Sequence, residues 1–248
     1  MKLFKFIRNQ IWKFFYLIRS NAPLWLIVKG FWLGFTHMLT RGKYEKKRAA
    51  FREQAKSLTL DNDWFSDNIH TWVRAFERCG LYEKDALKCM EIGSFQGQSA
   101  YFTLSEFKNA QLTCVDTWKG ADGEKVDEVT EKAFDDNLKP FANRLMKYKG
   151  KSYVFFHDHF ESEIYDFVYI DGSHYSDDVM LDAVRGFQML KVGGLMIFDD
   201  YLWHYYDRPI DNPAGAVHAF LRMKHFHHEF IGFDYQLVIR KIGSSIIQ

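Results

Sequence analysis

From Lys88 onward, short apolar runs of strand type alternate with helical segments, and this alternation most constrains the fold. The candidate strands are Lys88–Ile92, Gln111–Asp116, Leu145–Lys149, Phe167–Asp171, Leu195–Asp199, Glu229–Phe233 and Gln236–Lys241. Helical segments near 98–108, 123–138, 153–160, 177–190 and 214–226 separate most of them. The alternation predicts an α/β domain whose largely parallel sheet is covered on both faces. Only a turn near Asp234 joins the last two strands, so we expect them to form an antiparallel hairpin.

The N-terminal region differs in charge from the rest of the chain, and we divide the sequence into 1–57 and 58–248. Met1–Lys56 contains 13 Lys/Arg and 2 Asp/Glu, a balance of +11, whereas the whole chain carries +1. This difference predicts a basic extension on an acidic body. The helices predicted outside the alternating region lie at 2–20, 23–39, 43–57 (a charged helix or linker) and Asp61–Arg78.

Residues 1–40 combine basic side chains with many aromatic and aliphatic ones. The run Leu24–Leu39 is shorter than the ~20 residues that span a bilayer comfortably. Two alternatives remain open: the helices lie on an anionic membrane surface, or they pack against the rest of the chain or a second subunit in a homo-oligomer. The apolar residues at helical spacing are Phe4, Ile7, Ile11, Phe14, Phe15 and Ile18, and the tryptophans are Trp12, Trp25 and Trp32.

The three cysteines, Cys79, Cys89 and Cys114, show no metal-ligand spacing, and their odd number argues against a disulfide framework. Cys89 and Cys114 lie at or within apolar strand patterns, so we expect them to pack as small hydrophobic residues. A reducing cytoplasm fits this usage best, with a peripheral position at the inner face of the membrane if the N-terminal helices bind lipid.

The first strand of the alternating region runs into a glycine-bordered turn, Glu91-Ile92-Gly93-Ser94-Phe95-Gln96-Gly97-Gln98-Ser99. Gly93 and Gly97 allow a tight turn and a close approach of the backbone to a ligand. The turn has neither the three glycines of a dinucleotide site nor the Lys-Ser/Thr of a phosphate loop. The second strand ends at Asp116, where a carboxylate can accept hydrogen bonds from both hydroxyls of a ribose.

These two segments resemble motifs I and II of class I, Rossmann-like, S-adenosylmethionine-dependent methyltransferases. The similarity is greatest to the metal-dependent O-methyltransferases of cephalosporin biosynthesis and macrolide sugars. Tyr169–Tyr175 resembles that family's fourth strand and Lys191–Tyr201 its fifth, and the resemblance extends over about Lys88–Ile242. It implies a seven-stranded methyltransferase sheet ending in an antiparallel hairpin, with S-adenosylmethionine as the cofactor and an oxygen atom as the methyl acceptor.

The resemblance also implies a set of cofactor-binding residues. It places Asp116 at the ribose hydroxyls and Ser152 near the adenine, although Ser152 is equally suited to capping the helix that starts near Tyr153. The full set of cofactor-binding residues is Glu91, Gly93, Ser94, Gly97, Ser99, Asp116, Thr117, Trp118, Ser152 and Asp171.

Three carboxylates, Asp171, Asp199 and Asp200, follow two strands that should be neighbours. Converging carboxylates repel one another unless one is protonated or a cation lies among them. Oxygen ligands favour a hard divalent ion such as Mg²⁺. The resemblance to metal-dependent enzymes supports these three residues as metal ligands, whereas a role as turn or helix-start residues is the alternative.

Three residues are candidate catalytic bases: Asp171, His174 and His204. A carboxylate or an imidazole can take the proton of an acceptor hydroxyl. His174 matches the family motif, but orienting the loop or contacting the cofactor is the favoured role. His204 lies in the loop after the acidic pair, where a solvated histidine is an equal alternative. The histidines at 218, 225, 227 and 228 are predicted on and beyond a solvated helix face.

The sequence therefore favours a Mg²⁺-assisted O-methyltransferase that acts on a sugar, glycan or related polyol. Methylation of nucleic acid or of another small molecule is an alternative, and a non-catalytic membrane-associated scaffold of the same fold is another. Enzymes that methylate base amines typically carry Asn/Asp-Pro-Pro-aromatic after the fourth strand. This chain has Asp171-Gly172-Ser173-His174 there, which disfavours nucleic acid as a partner.

Overall fold

The computed structural model describes residues 2–120 and 128–244. Its strands are β1 (Lys88–Ile92), β2 (Gln111–Asp116), β3 (Leu145–Lys149), β4 (Tyr165–Ile170), β5 (Leu190–Phe198), β6 (His228–Phe233) and β7 (Leu237–Lys241). Its helices are α1 (Lys2–Arg19), α2 (Leu24–Thr40), α3 (Glu45–Ala55), α4 (Ile69–Arg78), α5 (Gln98–Glu106), α6 (Glu128–Leu138), α7 (Ser152–His159), α8 (Ser176–Met189) and α9 (Pro213–Met223). The start of the helix predicted at 123–138 lies outside the described residues.

The strands form one seven-stranded sheet in the order β3-β2-β1-β4-β5-β7-β6. Strands β1 to β5 pair in parallel, whereas β7 pairs antiparallel with both β5 and β6. The predicted α/β class and the terminal antiparallel hairpin are therefore confirmed. The order reverses at β1, which lies between β2 and β4, and this reversal creates the crevice in which doubly wound sheets bind ligands.

Alternate residues of the central strands supply two hydrophobic cores, one on each face of the sheet. In β4, Val168 and Ile170 enter the core under α8 and α9, while Phe167 and Tyr169 enter the core under α4 and α5. The fully buried Trp72 of α4 packs edge-on against both of these aromatic rings. All three cysteines are buried, which the sequence predicted for Cys89 and Cys114.

The helix predicted to begin at Asp61 instead begins at Ile69, after a short 3-10 turn. The Asp63 carboxylate accepts a hydrogen bond from the Ser66 backbone N–H at 2.9 Å and another from the Gln98 side-chain amide at 2.8 Å. These bonds stabilise a turn where the apolar periodicity had indicated continuous helix.

The N-terminal helices pack one face against the sheet domain. Leu17 of α1 and Leu26 of α2 join the core that also contains α9 and β6. The imidazole of His218 joins the two regions, because its Nδ1 lies 2.8 Å from the Ser20 carbonyl and its Nε2 lies 2.8 Å from the Tyr201 hydroxyl. His218 and His228 are both buried, so the predicted solvated face is wrong for these two residues.

Within residues 2–120 and 128–244, no helix combines the length and the apolar content that crossing a membrane requires.

Two glycines of α2 give a matched test of how this helix packs. A Cβ added to Gly30 would lie 1.8 Å from Cε1 of the Phe233 ring, whereas a Cβ added to Gly34 would have no atom within 4 Å. We expect Gly30→Ala to destabilise the fold by about 1–3 kcal/mol through overpacking. Gly34→Ala should be neutral or stabilising by up to ~1 kcal/mol through helix propensity. Urea unfolding of both variants measures the difference, and equal stabilities would contradict the packing of α2 on β6.

Candidate active site

The pairing of the parallel strands brings four site residues to one edge of the sheet. Ile92 of β1 is in register with Val115 of β2 and with Ile170 of β4, and Ile170 is in register with Phe198 of β5. The residues that follow these positions therefore lie side by side at the carboxyl edge. They are Gly93, Asp116, Asp171 and Asp199.

A cavity of about 910 Å³ opens at this edge, which is large enough for a nucleoside cofactor and a small acceptor. It extends from the glycine-bordered turn after β1 to the acidic residues after β4 and β5. The predicted site residues that line it are Gly93, Ser94, Ser99, Asp116, Thr117, Trp118, Ser152, Asp171, His174, Asp199 and Asp200. Glu91, Gly97 and His204 do not border it.

The turn after β1 requires glycine at both of its ends. Gly93 has a φ of +81°, and a Cβ there would lie 1.8 Å from the carbonyl oxygen of Asp171. Gly97 has a φ of +79° and precedes the first residue of α5. The missing side chain at Gly93 allows the turns after β1 and β4 to lie against each other, which brings the glycine turn next to the acidic residues.

Asp116 is the main support of this turn. One of its carboxylate oxygens accepts hydrogen bonds from the backbone N–H groups of Ser94 at 2.7 Å and Phe95 at 2.8 Å. The other oxygen accepts one from the N–H of Trp118 at 2.7 Å. The carboxylate thus holds together the two loops that line this half of the cavity, and its predicted contact with ribose hydroxyls stays a prediction.

Glu91 lies behind the turn rather than in the cavity. Its buried carboxyl group accepts a hydrogen bond from the Ser99 hydroxyl at 3.0 Å, and burial raises the pKa of Glu91 to about 8. The geometry therefore gives Glu91 a supporting role for α5 instead of the direct cofactor contact that the sequence motif implied.

Asp182 of α8 is a cavity residue that sequence reasoning missed. Its side chain is buried, and among the described residues its Oδ1 atom has no hydrogen-bond partner. Burial raises the pKa of Asp182 to about 7, and the side chain of Ser152 opposes part of this shift. One sequence feature could have indicated it: Asp182 places a carboxylate on the apolar face of a helix, between Val179 and Ala183.

The acidic half of the cavity is built around the hydroxyl of Tyr169. This hydroxyl donates to Asp171 Oδ2 at 2.9 Å and also contacts Asp199 Oδ2. Asp199 Oδ2 further accepts a hydrogen bond from the Gln236 side-chain amide at 2.8 Å. The indole N–H of Trp72 donates to the carbonyl oxygen of the same amide at 2.9 Å, which fixes its orientation.

Asp200 extends the acidic cluster toward the opening of the cavity. Its Oδ2 atom lies 2.9 Å from His174 Nε2, and its Oδ1 atom accepts a hydrogen bond from the Tyr235 hydroxyl at 2.7 Å. Sequence reasoning missed Tyr235 and Gln236, because only the return of β7 beside β5 brings the hairpin turn to this edge.

The cluster holds more negative charge than its protein partners compensate. Burial, followed by repulsion from Asp199 and Asp200, raises the pKa of Asp171 well above its usual value. Burial and repulsion from Asp200 raise the pKa of Asp199 to about 6. The single phenolic proton of Tyr169 cannot be donated to two carboxylate anions at once. A further proton or a cation is therefore favoured at this position.

The oxygen donors of the cluster fit a hard cation in their chemistry. In the described part of the chain, no three His, Cys, Asp or Glu side chains are already arranged around a metal position. Any bound ion would therefore have to replace some of the hydrogen bonds from Tyr169, Gln236 and Tyr235.

Aromatic rings form the outer wall beside the acidic cluster. The imidazole of His174 stacks on the Trp203 indole at 4.5 Å between ring centroids, and the Trp203 and Tyr205 rings meet edge to face. His204 points elsewhere: its ring packs against Trp12 at 4.7 Å, and its Nδ1 lies 3.0 Å from the Leu202 carbonyl. The geometry thus does not support His204 as a base, because contacts with α1 hold its ring away from the cavity.

Comparisons with known proteins agree with this geometry. Residues 90–201 match a family model described as a methyltransferase domain. No curated protein matches the sequence. A protein from Corynebacterium glutamicum shares the fold with a TM-score of 0.55 at 14% identity, covering 85% of this chain and 98% of the other. A proposed caffeoyl-CoA O-methyltransferase from Staphylococcus aureus gives 0.54 at 16% identity, covering 84% and 100%.

The MycE methyltransferase of the mycinamycin biosynthetic pathway, solved in complex with Mg, SAH and mycinamycin VI, gives a TM-score of 0.55 at 17% identity. The alignment covers 80% of this chain but 55% of MycE. At such identities the likeness concerns the fold. Residues 90–201 thus match a methyltransferase domain in sequence, and the fold of the chain agrees with that match.

Proposed function

We propose that the protein transfers the methyl group of S-adenosylmethionine to a hydroxyl oxygen of a sugar, glycan or related polyol, assisted by a hard divalent cation such as Mg²⁺. The half-buried acidic cluster of Asp171, Asp199 and Asp200 supports this proposal most strongly, because it shares one cavity with the glycine turn after β1. A methyl donor held by that turn would lie next to groups able to take a proton from an oxygen acceptor.

In this proposal the nucleoside of the donor lies along the carboxyl edge of the parallel strands. The ribose hydroxyls would donate hydrogen bonds to Asp116, which lines the cavity at the end of β2. Thr117 and Trp118 would lie beside the ribose, and Ser152 would lie near the adenine, in the same part of the wall as Asp182. The methionine end would then lie along Gly93, which directs the sulfonium toward the acidic cluster.

The chemistry needs a stronger nucleophile than a neutral alcohol. The acceptor oxygen forms a bond to the methyl carbon while the carbon–sulfur bond breaks, and the electron pair of that bond returns to sulfur as a neutral thioether. The acceptor proton passes to the carboxylate of Asp171. Asp171 is suited to receive the proton because its side chain lines the cavity at the end of β4, next to the place of the acceptor in this proposal.

Asp171, Asp199 and Asp200 would hold the divalent cation. A bound cation would lower the pKa of the acceptor hydroxyl and hold its oxygen in position. The mutual repulsion of the three carboxylates supports this assignment, since a cation offsets it. The Mg in the solved complex of MycE, a protein that shares the fold, is consistent with the same chemistry.

The acceptor would bind against the aromatic wall. Trp203 and Tyr205 line the cavity beside the acidic cluster, and flat aromatic faces suit the apolar faces of sugar rings. His174 is held by both Trp203 and Asp200, so we assign it the role of a positioning residue.

Replacing the supporting carboxylate of Asp116 should weaken donor binding. In Asp116→Asn the amide –NH₂ would face at least one backbone N–H, because both carboxylate oxygens accept such bonds. We expect binding of S-adenosylhomocysteine, measured by calorimetry, to weaken by about 10–100-fold, the equivalent of one charge-assisted hydrogen bond. Asp177→Asn on the exposed start of α8 is the control and should bind like the parent protein. Unchanged affinity in Asp116→Asn would contradict the assignment.

Removing one acidic ligand should separate catalysis from donor binding. Asp199→Asn should lower methyl transfer by more than ~10²-fold while S-adenosylhomocysteine affinity changes little, since Asp199 lies on the acceptor side.

Chelator should abolish the turnover of the parent protein, and added Mg²⁺ should restore it. A radiolabelled methyl-donor assay against nucleotide sugars and glycans measures both effects. Full activity in excess chelator would refute the metal assignment, and no donor binding at all would favour a non-catalytic scaffold.

A further inference from the structure

We propose that the outward side of the N-terminal helices is a docking surface for a lipid bilayer rich in anionic headgroups. We call this surface the outer face. It consists of Ile11, Phe14, Phe15 and Ile18 of α1 with Leu24, Val28, Trp32 and Phe35 of α2, all of which are exposed. The proposal does not depend on the acceptor or the metal of the reaction.

Helix α1 has two opposite sides with different roles. Lys13, Leu17 and the following Ser20 recur at helical spacing and are buried against the body of the protein. The exposed Ile11 and Phe15 are about half a turn away from this stripe, so the helix directs them away from the body. The buried side therefore attaches α1 to the protein, whereas large apolar side chains are presented to the surroundings.

Helix α2 repeats this arrangement. Leu26, Ile27 and Gly30 are buried, and Gly30 lies against the Phe233 ring of β6. Val28 is 62% exposed and Trp32 is 67% exposed, on the outward side of the same helix. Outward residues of α2 recur at positions i, i+4, i+8 and i+11, which is a continuous stripe on a helix.

The two stripes belong to one surface. The α1–α2 turn has a left-handed residue at Asn21 (φ of +59°), followed by Pro23 just before α2. The rings of Phe14 and Phe31 are 6.2 Å apart, which shows that the helices lie side by side. Contiguous exposed apolar areas of this kind are uncommon on monomeric proteins and mark interaction sites.

The positive charge of the N-terminal region indicates which partner binds to the outer face. The first 44 residues contain eight Lys/Arg and no Asp/Glu. Arg8, Arg19 and Lys29 are exposed beside the outer face. Two copies of this surface would bring like charges together, whereas an anionic bilayer neutralises them. Trp32 adds a residue that favours the membrane–water interface. The combination of apolar stripes with basic flanks fits an interfacial helical hairpin better than a protein dimer.

Helix α1 also contacts the loops that border the acceptor side of the cavity. The Tyr16 hydroxyl donates to the Trp203 carbonyl at 2.8 Å, and the Lys13 ammonium forms an ion pair with Asp234 at 2.5 Å. Asp234 precedes Tyr235, which binds the acidic cluster. A bilayer on the outer face would thus be one helix away from the acceptor loops. If the proposed methyl transfer is correct, acceptors displayed on the membrane, such as lipid-linked saccharides, are the class best placed to enter.

Vesicle flotation of the full chain tests the docking surface. The protein should float with vesicles of phosphatidylcholine and phosphatidylglycerol and remain at the bottom with phosphatidylcholine alone. Val28→Glu combined with Trp32→Glu should lower the bound fraction by at least about tenfold, because it places two carboxylates in the apolar contact. Both side chains are exposed, so the fold should persist, and calorimetry with S-adenosylhomocysteine checks this separately from the docking.

A matched single variant provides the control. Val129 on α6 is 65% exposed, close to the value for Val28, and α6 is outside the N-terminal hairpin. Val129→Glu should float like the parent protein, whereas Val28→Glu alone should float less. Failure of the parent protein to float, or equal flotation of the two single variants, would overturn the proposal. So would sedimentation data showing a dimer that Val28→Glu dissociates while vesicle binding is unchanged.

Discussion

The register between β1, β2, β4 and β5 determines where every other part of the candidate active site lies. It places the ends of four parallel strands at the same height, so that the next residue of each strand enters one crevice. The N–H groups just beyond the strands continue the ladder, as in the bonds from Gly93 to Val115 and from Asp171 to Ile92 at 2.9 and 2.8 Å. A shift of one residue in β2, β4 or β5 would turn its terminal carboxylate away from the crevice.

The same register concentrates negative charge where burial makes it costly. Partly buried carboxylates that repel one another destabilise a fold, and a sequence selected for stability alone would replace them. Here neutral donors on the fully buried Tyr169 and on the hairpin turn offset part of that cost. The remaining excess is concentrated next to the turn that would hold a methyl donor. Such a local conflict with stability is typical of catalytic sites.

Much of the fold could be predicted from the sequence, because strand and helix periodicities are local. Asp116, Asp171 and Asp199 were predictable as site residues because parallel strands share a carboxyl edge, so that strand ends alone indicate proximity. Partners brought in by long-range packing were not predictable. Tyr235 reaches the cluster only through the pairing of β7 with β5. Whether His204 faced the cavity or the body depended on the packing of its ring against Trp12 and Tyr16 of α1, about 190 residues earlier in the chain.

The burial of His218 has the same kind of cause. Its position on α9 gives a polar residue among apolar neighbours, and only the docking of the α1–α2 turn supplies a carbonyl partner for its ring. Helix α1 therefore links the sheet domain to the loops that contain Trp203 and Asp234. The division of the chain into 1–57 and 58–248, useful for composition, understates how closely these two regions are packed.

We propose that one crevice holds both the methyl donor and the acidic cluster. A crystal structure of the complex with S-adenosylhomocysteine is the decisive measurement. Electron density should place the ribose hydroxyls against the carboxylate of Asp116 and the sulfur on the side facing Asp171. Density for the nucleoside outside this crevice, or a sulfur directed away from the three carboxylates, would show that the donor and the acidic cluster do not form one site.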